Sequence, residues 1–369
     1  MSPHSKILAI EPWFGGSHQR FLETWSEHSR HEISILGLPA RDWKWRMEAA
    51  AHTLARRAVA LPRPEAIFAS DFLDVARFRG FLPPEWARIP VVMYFHENQL
   101  TYPGRPGSSE EQRDLTHGFT NALSCAASEA VVFNSQYHLQ EFSKAVEELF
   151  RRLPKPSPAS EVHEALEQAR VVGVGVDLEA IPLGSGPGAG APLRIVFNHR
   201  FEHDKDPCTF LRAALALGET AEVEIILLGE RFNSSPEGAE ELVEALGRSI
   251  VHRGFAESRS HYAHLLGSAD LAVSTARHEF YGVAMLEAVA AGCAPLAPRR
   301  LAYPEVLGSS EFAGSLYESE AELNARLERL ATNPACLRDG GLRSARRSAV
   351  AHHDVSRIAE RLDEIVEAL

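Results

Sequence analysis

The chain has 369 residues, 45% of them hydrophobic, and a formal net charge of -12. That is too long for one ordinary domain and apolar enough to fill two cores, while the acidic balance argues against broad, nonspecific nucleic-acid binding. No apolar run approaches the roughly 20 residues of a membrane-spanning helix, so no membrane anchor is expected, and four scattered cysteines (Cys125, Cys208, Cys293, Cys336) with no Cys-x-x-Cys suit reduced thiols in a cytoplasmic protein.

Short apolar runs alternate with helix-length segments from end to end. In the first half they are Lys6–Ile10, Glu32–Leu36, Ala66–Ala69, Pro90–Phe95, Ala130–Phe133 and Val171–Val176. In the second half they are Leu193–Phe197, Val223–Leu228, Ile250–His252, Leu271–Ser274 and Ala294–Ala297. Strand, helix, strand repeated this way predicts an α/β chain with parallel sheets covered on both faces. Right-handed crossovers then give two Rossmann-like, doubly wound domains facing a central cleft. Between Pro182 and Pro192, seven of eleven residues are Gly or Pro, which predicts an interdomain linker. The expected division is 1–180, a linker at 181–192, 193–350, and a tail at 351–369. In that tail Ile358, Leu362, Ile365, Val366 and Leu369 fall at helical spacing, as in a helix that packs back on the body.

Candidate functional residues sit at the ends of the apolar runs. After the first run, Gly15-Gly16 opens a helix, and glycine lets backbone N–H groups approach a phosphate or sugar closely. A turn that merely needs two glycines is the alternative. Arg41-Asp42-Trp43-Lys44-Trp45-Arg46, with Arg56-Arg57 after it, combines cations and aromatics as a single-stranded nucleic-acid loop requires. Further basic residues in this half include Arg77, Arg79, Arg105, Arg113, Arg151, Arg152 and Lys155. The alternative is a solvated helix with buried tryptophans. His96-Glu97-Asn98-Gln99 follows the fourth run, where His96 would bond a donor-sugar hydroxyl and the other three would bind the acceptor or orient His96. No ligand set for a metal is visible there.

In the second half, Arg200 and Lys205 stand beyond the first run, matched to a leaving diphosphate. Glu202, Asp204 and Asp206 would instead make this a surface charge cluster. Gly229-Glu230-Arg231 and His252-Arg253-Gly254-Phe255 end two more runs, where a base and ribose would lie, although turn chemistry alone explains both glycines. Last comes His278-Glu279-Phe280-Tyr281-Gly282-Val283-Ala284-Met285-Leu286-Glu287. It reads as a loop running into a helix, with Glu287 about one turn inside. The two carboxylates would accept hydrogen bonds from sugar hydroxyls, and the helix N-terminus suits an anion.

Taken together, these elements resemble retaining glycosyltransferases of the two-Rossmann-domain (GT-B) type. More closely, the chain resembles the tRNA-queuosine mannosyltransferase family, through Glu11 to His18, Leu38 to Arg46, Tyr94 to Pro103, His199 to Pro207 and His278 to Glu287. The Trp-x-Trp-Arg and His-Glu-Asn-Gln elements are more particular than the paired glutamates. The likeness thins between about Leu153 and Gln168, in the linker, and after about Glu318.

The resemblance implies a nucleotide-sugar donor, GDP-mannose, and as acceptor the cyclopentenediol of queuosine in a tRNA anticodon. It implies no cofactor and no obligatory metal. Arg200, Lys205, Glu279 and His96 would be catalytic. Gly15, Gly16, Gly229, Phe255, Phe280, Tyr281, Gly282, Val283 and Glu287 would bind donor. Trp43, Lys44, Trp45, Arg46, Glu97, Asn98 and Gln99 would bind acceptor. Three alternatives stay open: a glycosyltransferase of the same architecture acting on a lipid or small metabolite, a nucleotide-sugar epimerase or hydrolase, and a catalytically silent RNA- or nucleotide-sugar-binding module.

Overall fold

A computed structural model of the chain describes residues 4–102, 115–229 and 236–369. It divides into two compact units, residues 1–175 with 355–369, and residues 176–354. The first unit holds β1 (Lys6–Phe14), β2 (Glu32–Pro39), β3 (Ala66–Ser70), β4 (Val91–Phe95), β5 (Ala130–Phe133) and β6 (Arg170–Val171). The second holds β7 (Leu193–Asn198), β8 (Val223–Leu228), β9 (Ile250–Gly254), β10 (Leu271–Val273), β11 (Ala294–Pro298) and β12 (Leu316–Tyr317). Their sheets run in the order β2-β1-β3-β4-β5-β6 and β12-β11-β10-β7-β8-β9, with every pairing parallel. Every residue of β3 and β4 is buried, which is why these strands read as unbroken apolar runs.

Several strand expectations change. The first strand carries on past Ile10 to Phe14, through a register shift between Glu11 and Phe14 against β2. Of the expected strand Val171–Val176 only Val171 joins the sheet, in the two-residue β6 (Arg170–Val171). The pair Leu316–Tyr317 was not expected, being too short to show a period.

Residues 181–192, where the composition suggests a linker, lie within the second unit. Gly184 and Gly186 donate backbone bonds of 3.0 Å to Ala291 and Gly267. A Cβ on Gly184 would fall 2.1 Å from the Gly267 carbonyl oxygen, so this glycine serves close packing rather than flexibility. Arg343, only 1% exposed, ties the region together by donating to the carbonyls of Gly184, Gly267, Ala269 and Ala291. The last helix, Val355–Glu367, belongs to the first unit. Its Ile358, Leu362, Ile365 and Val366 join Phe21, Trp25, Phe68 and Tyr94 in one core, and buried Asp363 accepts from Trp25 Nε1, Ser29 Oγ and the Arg30 N–H. Among the described residues no helix is long and apolar enough to cross a membrane.

Candidate functional site

In an open parallel sheet, ligands bind beyond the carboxyl ends of the strands, where crossovers to either side leave a crevice. That point falls between β1 and β3 in the first unit and between β7 and β10 in the second. The first unit's point is lined by Glu11, Gly15-Gly16 and Asp71, with His96 beyond β4; the second unit's by His199 to Lys205 and His278-Glu279.

Glu11 of the first unit is fully buried. Its Oε1 accepts from the Trp13 N–H at 2.8 Å and from Ser70 Oγ at 2.8 Å, and its Oε2 meets His18 Nδ1 at 3.0 Å. Burial disfavours a charge on His18, but the carboxylate outweighs it and lifts the pKa to about 9, so His18 is a cation at neutral pH. The His96 ring lies 4.2 Å from that of His18, centroid to centroid. Burial, and then the charge of His18, hold His96 well below its usual range, so it is neutral. Its backbone is pinned on both sides: the N–H donates to Asp71 Oδ1 at 2.9 Å and the carbonyl accepts from Asn134 Nδ2 at 2.9 Å. Its Nε2 is buried and meets no partner among the described residues. Glu11, His18 and His96 offer potential ligand atoms within 4.8 Å of one another, a grouping not foreseen from sequence. The proton on His18 makes it an ion pair beside a neutral imidazole.

Gly16 has φ 56° and begins the helix Gly16–His28, and a Cβ on Gly15 would lie 2.5 Å from that of Ala40. Gly15 is therefore required by its close approach to Ala40, and Gly16 suits the left-handed backbone of the turn. In the loop after β4, Gln99 donates to Glu97 Oε1 at 3.0 Å. Asn98 needs correcting: it is fully buried and spends its amide on Leu100 and Thr101, so it folds the loop rather than facing an acceptor.

The second unit's centre is Lys205. Its Nζ lies 2.7 Å from the His278 carbonyl, 3.0 Å from Asp204 Oδ2 and 3.3 Å from Glu279 Oε2. Burial opposes the ammonium, yet Glu279 and Asp204 raise its pKa, so it stays charged. Glu279 shows the converse: burial would raise it, but Lys205 and then His199 bring it down to about 2. Glu279 Oε1 also accepts the N–H groups of Tyr281 (3.3 Å) and Gly282 (3.1 Å). Those two donors, expected to face a ligand, hold Glu279 instead. Val283 opens the next helix, Val283–Ala290, whose first N–H groups have no acceptor within the helix. Phe280 and Tyr281 are buried, and Tyr281 Oη meets His353 Nδ1 at 2.7 Å. Arg200 is exposed and pairs with Glu202 at 3.2 Å, while Asp206 pairs with Arg277, so the acidic residues of this loop do neutralise part of it. A Cβ on Gly229 would lie 2.3 Å from the His199 carbonyl oxygen, which is why a glycine follows β8. Phe255, beyond β9, is 72% exposed. Glu230 and Arg231 lie outside the described residues.

His199 and His278 flank Lys205 and are held down to about 4, by burial first and then by Lys205. A histidine with a lowered folded pKa adds stability above about 6.5, lost as pH falls toward 4; the raised value of His18 adds stability below about 6.5, lost as pH rises toward 9. The second unit is therefore expected to weaken on the acid side and the first on the alkaline side. Thermal unfolding from pH 4 to 9 checks this, and the alkaline limb should flatten in His18→Gln. An unchanged alkaline limb would remove the Glu11–His18 pair as its source.

The basic and aromatic cluster forms the first turn of the helix Trp43–Ala58, after Asp42 at φ 55°. Trp45 is 65% exposed, contrary to a pair of buried tryptophans, whereas Trp43 is half-buried, 5.4 Å from His117, with Lys44 Nζ 5.6 Å over its ring. Arg46 Nε donates to the Pro39 carbonyl. The other cations are largely spoken for. Arg77 meets Glu48 and Asp74, Arg79 meets Glu129, and Arg151 and Arg152 meet Glu148; Arg105 and Arg113 lie outside the described residues.

Sequence reasoning gave no role to Glu11, Asp71, Arg259 or Tyr262. A carboxylate at the end of an apolar run signals the first two; the second two lie on a helix that carries no motif. A separate hollow of about 370 Å³, walled by Asp206, Thr209, Arg277, Arg300 and Tyr317, excludes Lys205, Glu279 and Glu287.

Comparison with known proteins fits this arrangement. Residues 6–176 match the family described as tRNA-queuosine alpha-mannosyltransferase N-terminal, and residues 189–347 match glycosyl transferases group 1. The chain is 34% identical over 350 residues to the tRNA-queuosine alpha-mannosyltransferase of Drosophila melanogaster, covering 91% of this chain and 89% of the relative. Among solved structures, sucrose-phosphate synthase from Thermosynechococcus elongatus superposes with a TM-score of 0.73 at 16% identity, over 99% of both chains. Anabaena HepE in complex with UDP-glucose gives 0.69 at 16% identity, over 99% of this chain and 100% of that one. These two show the shared fold of two Rossmann-like α/β domains.

Proposed function

The chain belongs to the tRNA-queuosine alpha-mannosyltransferase family and is a glycosyltransferase, and on that premise we propose that it moves mannose from GDP-mannose to the cyclopentenediol of queuosine in a tRNA anticodon. The observation that carries this is the 34% identity over 91% of the chain, which takes in both the particular first half and the generic second half.

The second unit handles the donor. Lys205 and Arg200 stabilise charge developing on the leaving diphosphate. Glu279, held ionised by Lys205, accepts from the mannose hydroxyls. Glu287 takes the ribose hydroxyls, and the exposed ring of Phe255 covers the base. The first unit handles the acceptor, and His96 presents a neutral imidazole to a substrate hydroxyl. Transfer retains configuration, the departing phosphate takes the acceptor's proton, and no divalent metal is required. Four unbridged cysteines fit a cytoplasmic location.

The test is transfer of labelled mannose to tRNA with and without queuosine, beside free sugars and lipids. Label should enter only queuosine-containing tRNA; entry into lipid or a small metabolite instead would overturn the acceptor assignment. Exposed Trp45, with half-buried Arg46 beside it, is suited to stack and pair with that loop. Trp45→Ala with Arg46→Ala is expected to raise the KM for tRNA about 10-fold or more, as removing a stacking platform does, and to leave GDP binding unchanged. An equal loss of GDP affinity would mean that the cluster only supports the fold.

A further inference from the structure

Glu287 sits one turn inside the helix Val283–Ala290, 8% exposed, with both carboxylate oxygens engaged. Arg259 donates to Oε1 at 2.7 Å, and Tyr262 donates to Oε2 at 2.5 Å. Tyr262 keeps its proton and donates it, since burial, followed by the nearby Glu287 charge, pushes its phenol well above the usual range. The Arg259 guanidinium lies 4.9 Å over the Tyr262 ring, so its two partners fix its plane from different directions. The phenol oxygen in turn accepts from Asn198 Nδ2 at 2.6 Å, and the same amide donates to the Ala284 carbonyl at 3.0 Å. Asn198 is the last residue of β7. One chain of bonds thus runs from the end of β7 through Asn198 and Tyr262 to Glu287, with Arg259 closing it from the other side.

A glutamate side chain has several rotatable bonds and would otherwise turn its carboxylate freely. A carboxylate can accept about four hydrogen bonds. Two are spent here on protein donors, which leaves two directions fixed in space, the number a vicinal diol needs. Such a carboxylate tells a diol from a single hydroxyl by geometry, since its remaining lone pairs cannot swing to follow a ligand that lacks one donor. The fork of Arg259 is not fully used: its Nε–H is buried without an acceptor among the described residues.

We propose that Arg259 and Tyr262 are positioning residues that orient the Glu287 carboxylate toward the ribose diol of the nucleoside diphosphate, and that they, rather than Glu287 alone, set the enzyme's selectivity for a ribonucleotide donor. This rests on the reading of Glu287 as the ribose contact.

The experiment titrates GDP, 2′-deoxy-GDP and 3′-deoxy-GDP into the full-length wild type, Glu287→Gln, Tyr262→Phe, Arg259→Ala and Arg259→Lys, with unfolding of each variant followed without ligand. Wild type should prefer GDP over both deoxy analogues. Tyr262→Phe and Arg259→Ala should lose about 10-fold of that preference, chiefly through weaker GDP binding, with little change for the deoxy analogues, and Arg259→Lys should restore only part of it because it lacks the planar fork. A purely structural role would weaken all three ligands alike and leave the ratio intact, which overturns the proposal. If Glu287→Gln loses the preference while the Tyr262 and Arg259 variants keep it, this inference falls and the donor reading stands. If Glu287→Gln binds GDP as wild type does, the donor reading of Glu287 falls with it.

Discussion

Lys205→Met is expected to lower turnover with GDP-mannose by about 10²- to 10³-fold, the cost of removing a preorganised group that meets charge developing in the transition state. Lys205 is the most tightly held cation of the second unit's centre, with three oxygens within 3.3 Å of its Nζ. Removing it strands Glu279 and Asp204 as buried carboxylates without their counter-ion, which costs about 3 kcal/mol or more of stability. The pKa of Glu279, now about 2, should rise, and its contribution to stability, present above about 4.5 and lost toward 2, should shrink from the acid side. Loss of fold and loss of chemistry are separated by the double variant Lys205→Met with Glu279→Gln, which no longer leaves Glu279 charged without its partner. That variant should recover part of the lost thermal stability and none of the turnover. Recovery of turnover there would show the pair to be a structural one.

The second large effect is expected at Arg200. Arg200→Ala should lower kcat by about 10²-fold, with little change in unfolding, because the side chain is 46% exposed and its bond to Glu202 is a surface pair. This contrast with Lys205 follows from burial alone. An exposed guanidinium can meet a diphosphate with two parallel bonds. Single-turnover kinetics with saturating donor measures the chemical step directly. Near-normal kcat in Arg200→Ala would remove this residue from the mechanism and leave Lys205 as the cation that matters.

The α/β architecture was legible because both sheets are parallel and buried, so their strands stand out as apolar runs; β3 and β4 are buried at every position. Boundaries were less so. Glycines between 182 and 192 read as flexibility, yet Gly184 is there to let its backbone meet that of Gly267, a contact 83 positions away in sequence that no local pattern records. Motifs at strand ends located Lys205 and Glu279 correctly as neighbours, since topology brings the ends of β7 and β10 side by side. What sequence cannot show is which donors a carboxylate has already met. Glu279 consumes the loop N–H groups of Tyr281 and Gly282, and Asn98 folds its own loop. The charge on His18 comes from Glu11, seven residues earlier across a register shift in β1, and nothing local in the sequence pairs the two.

The most direct measurement is mass analysis of nucleosides released from bulk tRNA after incubation with the enzyme and GDP-mannose. The expected product is queuosine heavier by one hexose, removable by an α-mannosidase, with every other nucleoside unchanged. GDP released while the queuosine mass stays the same, or a hexose found on another nucleoside, would contradict the assignment of this chain's donor and acceptor.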